Sequence, residues 1–316
     1  MTKAEESRST RSKMSLITSF YTKERISLLR KLLGSLNRQS VSEIETIIVA
    51  EDGNDILKLA EREIASTNPP NPILLKAKLG SGAAYCRNLG AASASCSILG
   101  FVDDDVMLSP GWVKKALTVL SSTSADALAG SAMPAWEDPR DSWLPQSMDW
   151  IVSCTGWYGN RAMESHNMWT MNAAIRKDVF IGLGGFNAAL GPRGGRESGY
   201  QCLAEDLEFS LRLRRAGHKI LYVPEMSCLH NVYREQVSMR HIINRSVWVG
   251  RERRTLRTFG GDIPRGNLRL TSYFVSFLLP SGPKHYRVMT AILASLGSLA
   301  VGYVLRQDAN LEMRSP

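Results

Sequence analysis

The sequence predicts an α/β fold, a mostly parallel sheet flanked by helices, followed by a basic helical segment and an apolar C-terminal segment. Three observations carry this. Between residues 14 and 102, short apolar runs alternate with stretches of helical period, the pattern of strand–helix–strand units. Two of those strands end in carboxylates, Glu51-Asp52 and Asp103–Asp105, and open α/β sheets bind ligands at the carboxyl ends of their strands. Residues 234–269 hold nine arginines and three acids, a net +6 of the chain's +9.

Composition limits the class. At 316 residues the chain makes one large domain or two small ones, long enough to bury a core without disulfides or metals. With 44% apolar and 22% charged residues, wholesale disorder, collagen and coiled coil are excluded. Cys86, Cys96, Cys154, Cys202 and Cys228 lie far apart with no CxxC pair. That argues against a zinc knuckle or a secreted disulfide scaffold and for a reducing setting.

Residues 1–13 are polar and mixed in charge, with no apolar stretch of a signal peptide, and are expected to form a disordered tail. Met14–Ser19 reads as a buried strand. Glu24–Asn37 has helical spacing, with Ile26, Leu29, Leu33 and Leu36 on one face. Glu45–Ala50 is the second strand; Ile56–Ala65 is a helix stopped by Asn68-Pro69-Pro70. Pro72–Lys76 is a weaker strand, Gly80–Ala94 a Gly-Ser-Gly turn running into a helix, and Ser97–Val102 a fourth strand. Ala204–Gly217 reads as a helix opening on Glu205-Asp206, with Leu207, Leu211 and Leu213 as its apolar face; Lys219–Pro224 is a strand, with Met226–His230 after it. The domain expectation is a catalytic domain over 14–233, a basic helical segment over 234–269 and an apolar segment over 270–316.

Three consecutive aspartates repel one another unless a cation sits among them. Alternate residues of an extended segment face one side, so Asp103 and Asp105 can share a site, and hard oxygen ligands suit Mg²⁺ or Mn²⁺ on phosphates. An exposed acidic turn before a helix capped at Ser109 is the plainer alternative. No GxxxxGK[ST] is present, so a P-loop does not hold the phosphates. Glu205-Asp206 also suit the helix dipole at a first turn, without any chemistry.

In order, these pieces resemble the GT-A glycosyltransferases, specifically the large inverting family 2. The resemblance spans about Ser15 to Asn231 and rests on Thr18-Ser19-Phe20-Tyr21, Glu51-Asp52-Gly53-Asn54, Arg87-Asn88-Leu89-Gly90 in its Gly-led helix, Asp103-Asp104-Asp105, Asn172–Arg176 through Gly184-Gly185-Phe186, and Glu205-Asp206. It implies a Rossmann-like sheet and a nucleotide-sugar donor, UDP- or GDP-linked. Phe20 or Tyr21 would stack on the base, and Glu51 and Asp52 would meet its edge. Arg87, Asp103 and Asp104 would complete the nucleotide site. Asp105 with His230 would hold Mg²⁺ or Mn²⁺. Asp206, in the pair with Glu205, would be the general base. Gly191–Glu197 departs from the pattern as a Gly-rich charged loop, a lid or a long connection.

Five of seven tryptophans fall between Trp136 and Trp169. Aromatic faces stack on sugars and also fill cores; Trp157, Trp169 and Asn172 are the acceptor-site candidates. Val288–Leu305 passes without a charge, flanked by Lys284 and Arg287, and as a helix it reaches about 27 Å, near a bilayer core. A buried C-terminal helix would read the same way. Together with the arginines, the tail is expected to attach the protein, over residues 234–305, to the cytoplasmic face of a membrane. The acceptor is then a lipid-linked or cell-surface glycan. A nucleotidyltransferase and an inactive binding module of the same fold are the alternatives; a nucleic-acid binder would leave the acids unexplained, so no nucleic acid is expected.

Overall fold

The structure, a computed structural model, describes residues 14–40, 44–53, 55–191, 205–258 and 296–297. The expectations for the N-terminal tail, the Gly-rich loop beyond Gly191, and nearly all of the apolar C-terminal segment lie outside those residues.

In chain order the elements are β1 (Met14–Phe20), α1 (Ile26–Leu36), β2 (Ile44–Asp52), α2 (Ile56–Thr67), β3 (Pro72–Lys78), α3 (Ala83–Ser93), β4 (Ile98–Val102), β5 (Val106–Leu108), α4 (Trp112–Ser122), β6 (Ala127–Trp136), β7 (Met163–Glu164), β8 (Asn172–Arg176), α5 (Lys177–Gly182), α6 (Glu205–Arg215), β9 (Ile220–Val232) and α7 (Met239–Thr258). The sheet order is β3-β2-β1-β4-β8-β6-β9-β5, with β7 on β9. The first four strands of that order are parallel. Beyond β4, the pairs β4–β8, β8–β6, β9–β5 and β9–β7 are antiparallel.

The strands β1, β2 and β4 are buried along nearly their whole length because both sheet faces are covered. Along β2, Ile44, Ile48 and Ala50 enter one core with Leu29, Leu33 and Trp112; Ile47 and Val49 enter the other with Phe180, Phe209 and Leu213. The helix read from Leu29, Leu33 and Leu36 forms, and Leu28 and Leu32 are buried as well, so its covered stripe is wider than the spacing suggested. In α6 the buried apolar residues are Phe209 and Leu213, one turn apart. Leu207 and Leu211 are only partly covered. That corrects the expected face. The acids Glu205 and Glu208 occupy buried positions of the same helix, each held by an arginine.

The chain divides into two compact units, residues 1–135 with 154–231, and residues 136–153 with 232–316. The first holds the sheet and its helices. The second holds short 3-10 turns at Pro139–Asp141, Gln146–Val152 and Arg234–Val237, then α7. The basic segment is therefore helical where described. Within it Arg245 pairs with buried Glu252, and the Arg251 guanidinium lies 5.1 Å from the Trp248 ring centroid. No helix among the described residues is long and apolar enough to cross a membrane. The four described cysteines, Cys86, Cys96, Cys154 and Cys228, are buried and form no disulfide among the described residues.

Candidate active site

The parallel strands β1, β2 and β4 deliver their following loops to one edge of the sheet. The loop after β1 carries Tyr21 and Arg25; the end of β2 carries Glu51 and Asp52; the end of β4 leads into Asp103–Asp105. Antiparallel β9 sets His230 opposite Val106, just past those aspartates. The start of α6 adds Glu205 and Asp206.

Two arginines organise the acids. Arg87 Nη2 lies 2.7 Å from Asp103 Oδ1 and its Nη1 2.8 Å from Glu205 Oε1. Arg25 Nη1 lies 2.9 Å from Asp104 Oδ1 and 3.1 Å from Asp105 Oδ2, and its guanidinium sits 5.8 Å from the Tyr21 ring centroid. His230 turns Nε2 to Asp105 Oδ1 at 3.6 Å and Nδ1 to Cys154 Sγ at 3.7 Å.

The cluster is not fully answered. Asp104 Oδ2, Asp105 Oδ1 and Glu205 Oε2 are buried with no hydrogen-bond partner among the described residues. Burial pushes Asp104 up to about 7 although Arg25 pulls it down, and burial likewise raises Glu205 against the pull of Arg87. Burial disfavours the charge on Arg87, yet Asp103 and Glu205 overcome it and hold the guanidinium well above its ordinary value. Four carboxylates, Asp103, Asp104, Asp105 and Glu205, face two guanidiniums, an excess of acids over bases that a divalent cation would offset. Among the described residues no three His, Cys, Asp or Glu side chains gather as a ready metal set. Asp105 and His230 supply two donors, one of them an orphaned oxygen. That fits an ion of the Mg²⁺ or Mn²⁺ type, which commonly takes one or two carboxylates and completes its shell from phosphates and water.

Several expected site residues sit elsewhere or act differently. Phe20 is fully buried in the core, so its ring has no face for a base; Tyr21, one residue on, is only partly covered. Glu51 is buried and accepts the Gly80 and Gly82 amides at 2.9 and 3.0 Å. It shapes the Gly-rich turn rather than facing a ligand. Asp52 is exposed and paired with Lys76 at 2.8 Å. Arg87 meets carboxylates, where base or phosphate had been expected. Asn172 has no exposed surface: Oδ1 accepts the Trp112 indole N–H at 2.6 Å, and Nδ2 donates to the carbonyls of Ser131 and Met226. It ties β8, β6, β9 and α4 together and is out of reach of an acceptor. Trp157 and Trp169 are partly exposed and pack edge-on with Tyr158, at centroid distances of 4.5 and 5.0 Å. Tyr222 completes that aromatic nest.

Asp206 is partly covered, and its Oδ1 accepts the Leu207 amide at 2.8 Å. Asn88, beside Arg87 on α3, exchanges two hydrogen bonds with the Phe186 backbone. Gly185 has φ +68°, and a Cβ there would come within 2.7 Å of Asn88 Oδ1. That locks the Gly-Gly-Phe stretch to the helix carrying Arg87. Arg25 was missed by sequence reading. Its only signal is position: the loop after β1 neighbours the loop after β4 once those strands pair.

The comparisons with known proteins agree with this architecture. The fold is of the GT-A type. Residues 15–184 match the family described as glycosyl transferase family 2, and the chain belongs to that family and is a glycosyltransferase. It is 21% identical over 247 residues, 77% of each chain, to a glucosyl-dolichyl phosphate glucuronosyltransferase of Haloferax volcanii. It is 27% identical over 200 residues, 62% of this chain and 60% of the other, to the succinoglycan biosynthesis protein ExoM of Rhizobium meliloti. Among solved structures, a mannosyltransferase of Pyrobaculum calidifontis in complex with GDP-Man and Mn²⁺ superposes with a TM-score of 0.58, at 16% identity, over 92% of this chain and 76% of that one.

Proposed function

We propose that this glycosyltransferase moves a sugar from a UDP- or GDP-sugar to a lipid-linked or cell-surface glycan acceptor, with inversion, at the cytoplasmic face of a membrane. The observation that carries the reading is the uncompensated carboxylate cluster at the carboxyl ends of β1 and β4, with Asp105 Oδ1 buried and unbonded beside His230. Asp105 and His230 would hold the cation. When bound, Mg²⁺ or Mn²⁺ supplies Lewis-acid stabilisation of the departing diphosphate.

The chain's own residues do the rest. Asp103 keeps a side chain about a third exposed while Arg87 fixes it, and it meets the donor's ribose. Asp52, exposed at the end of β2, reads the base edge, with the partly covered Tyr21 ring alongside. Glu205 is buried and ion-paired to Arg87, which removes it as a proton acceptor; it positions the start of α6. Asp206, next in the chain and not buried, takes the proton of the acceptor hydroxyl as the new bond forms. Attack from the face opposite the leaving diphosphate inverts the anomeric centre.

The acceptor class draws support from relatives named for dolichyl phosphate and for succinoglycan. The aromatic pair Trp157 and Trp169 offers edges and faces to a sugar ring. The arginines of residues 234–269 and the apolar residues 270–316 meet anionic headgroups and the lipid interior.

The test is transfer from radiolabelled UDP- and GDP-sugars to polyprenyl-phosphate-linked acceptors, with the product anomer read by NMR. Metal-dependent labelling with the anomeric configuration reversed is expected. Retained configuration would remove the role of Asp206, and transfer undiminished by chelators would remove the cation. Flotation of the full chain with anionic liposomes tests the membrane; a protein that stays at the bottom of the gradient contradicts it.

A further inference from the structure

Arg25 stands where the incoming cation has to compete. One nitrogen, Nη1, bonds Asp104 Oδ1 and Asp105 Oδ2 together. The other oxygen of that same Asp105 carboxylate is the unbonded one beside His230. A guanidinium and a divalent ion on the two oxygens of one carboxylate repel strongly at such range in a buried setting. Arg25 is also the more exposed partner of the set. Its side chain is 28% exposed, against 2% and 5% for the aspartates. It sits at the end of the Lys23–Arg25 3-10 turn, at the N-cap of α1. Arg87, by contrast, is 5% exposed and held by α3.

We infer that Arg25 is a positioning residue that guards the aspartates before the metal arrives, weakening binding of the bare ion, and that it releases Asp105 to the metal when the donor's diphosphate offers its oxygens instead. This rests on the metal reading given above. The device couples metal and nucleotide: the bare ion meets the Arg25 charge held on Asp105, and the bare diphosphate meets the surrounding carboxylates. By linkage, the nucleotide raises metal affinity by the same factor that the metal raises nucleotide affinity.

The test titrates the full-length protein with Mn²⁺, following free ion by electron paramagnetic resonance, without nucleotide and with UDP or GDP. Arg25→Met should bind bare Mn²⁺ about tenfold more tightly than the native protein and lose most of the enhancement that the diphosphate confers. Arg25→Lys, which keeps one positive charge in reach of both aspartates, should stay near the native value. Circular dichroism melts of both variants establish that they are folded. If the native protein binds Mn²⁺ with a diphosphate but Arg25→Met leaves bare-ion affinity unchanged, the guarding role fails while the metal site stands. If Arg25→Lys rises as far as Arg25→Met, the effect follows shape rather than charge, and the inference is overturned. If the native protein takes up no Mn²⁺ with or without either diphosphate, the metal reading falls and this inference with it.

Discussion

The two ends of the parallel half-sheet treat a buried carboxylate in opposite ways. At the amino end, Glu45 is 6% exposed and fully met: Ser15 Oγ donates at 2.5 Å, and Ser95 donates both its amide at 2.9 Å and its hydroxyl at 2.8 Å. Burial alone would raise its pKa, but those hydrogen bonds hold it below the usual carboxylate value. At the carboxyl end, Asp104 and Glu205 are raised, and three carboxylate oxygens have no donor among the described residues. Sequence alone gives both places acids beside apolar strands. The difference is local satisfaction. A carboxylate answered by neutral hydroxyls and amides is finished as a structural element, whereas one left short of donors is ready for a cation that comes with a substrate.

The contrast can be broken from either end. The largest effect belongs to Asp206→Asn, which should lower kcat about 10³-fold while donor binding, measured by calorimetry, stays within a few-fold; loss of donor binding would assign Asp206 to the nucleotide site instead. Asp105→Ala should weaken Mn²⁺-dependent diphosphate binding by about 100-fold or more, and an undiminished affinity would take Asp105 out of the metal site. Arg87→Met leaves Asp103 and Glu205 without their guanidinium and should cost about 3–5 kcal/mol of stability in chemical denaturation. A near-neutral result would mean that the two acids are protonated or solvated.

The smallest effect is at the amino end. Glu45→Gln should cost about 1–2 kcal/mol and leave specific activity of the folded protein unchanged; reduced activity would deny the separation of the two ends. Its pH dependence has a definite sign. The folded pKa of Glu45 lies below the unfolded one, so its contribution is complete above the ordinary carboxylate value of 4.5 and is lost as pH falls through the folded value. Glu45→Gln should therefore flatten the acid limb of the stability curve.

Much of the parallel half was legible because β1, β2 and β4 are apolar-rich runs closed by turn residues or acids. The antiparallel half was not. Strand β6, ALAGSAMPAW, is built of small residues of low strand propensity. Its Gly130 lies against the Asn172 side chain, a close approach that only the folded sheet explains. Strand β9 carries Pro224 in its interior, which stopped the sequence reading at half its length. In α6, Glu205 was read only as a first-turn acid or half of a catalytic pair, yet it and Glu208 are buried through Arg87 and Arg212. The acids of the site were visible in the sequence as Asp103–Asp105 and Glu205-Asp206. Their partners were not, since Arg25 and Arg87 reach them across 79 and 118 residues of chain, distances that no local pattern encodes.

The most direct measurement is thermal unfolding of the full-length protein with UDP, GDP, CDP, TDP and ADP, each with and without Mn²⁺. A site completed by metal and diphosphate together predicts that one diphosphate with Mn²⁺ stabilises the fold by about 2.7 kcal/mol at a hundredfold excess over Kd, and that Asp105→Ala abolishes the shift. A folded sample that shows no metal-dependent shift with any of the five would contradict it.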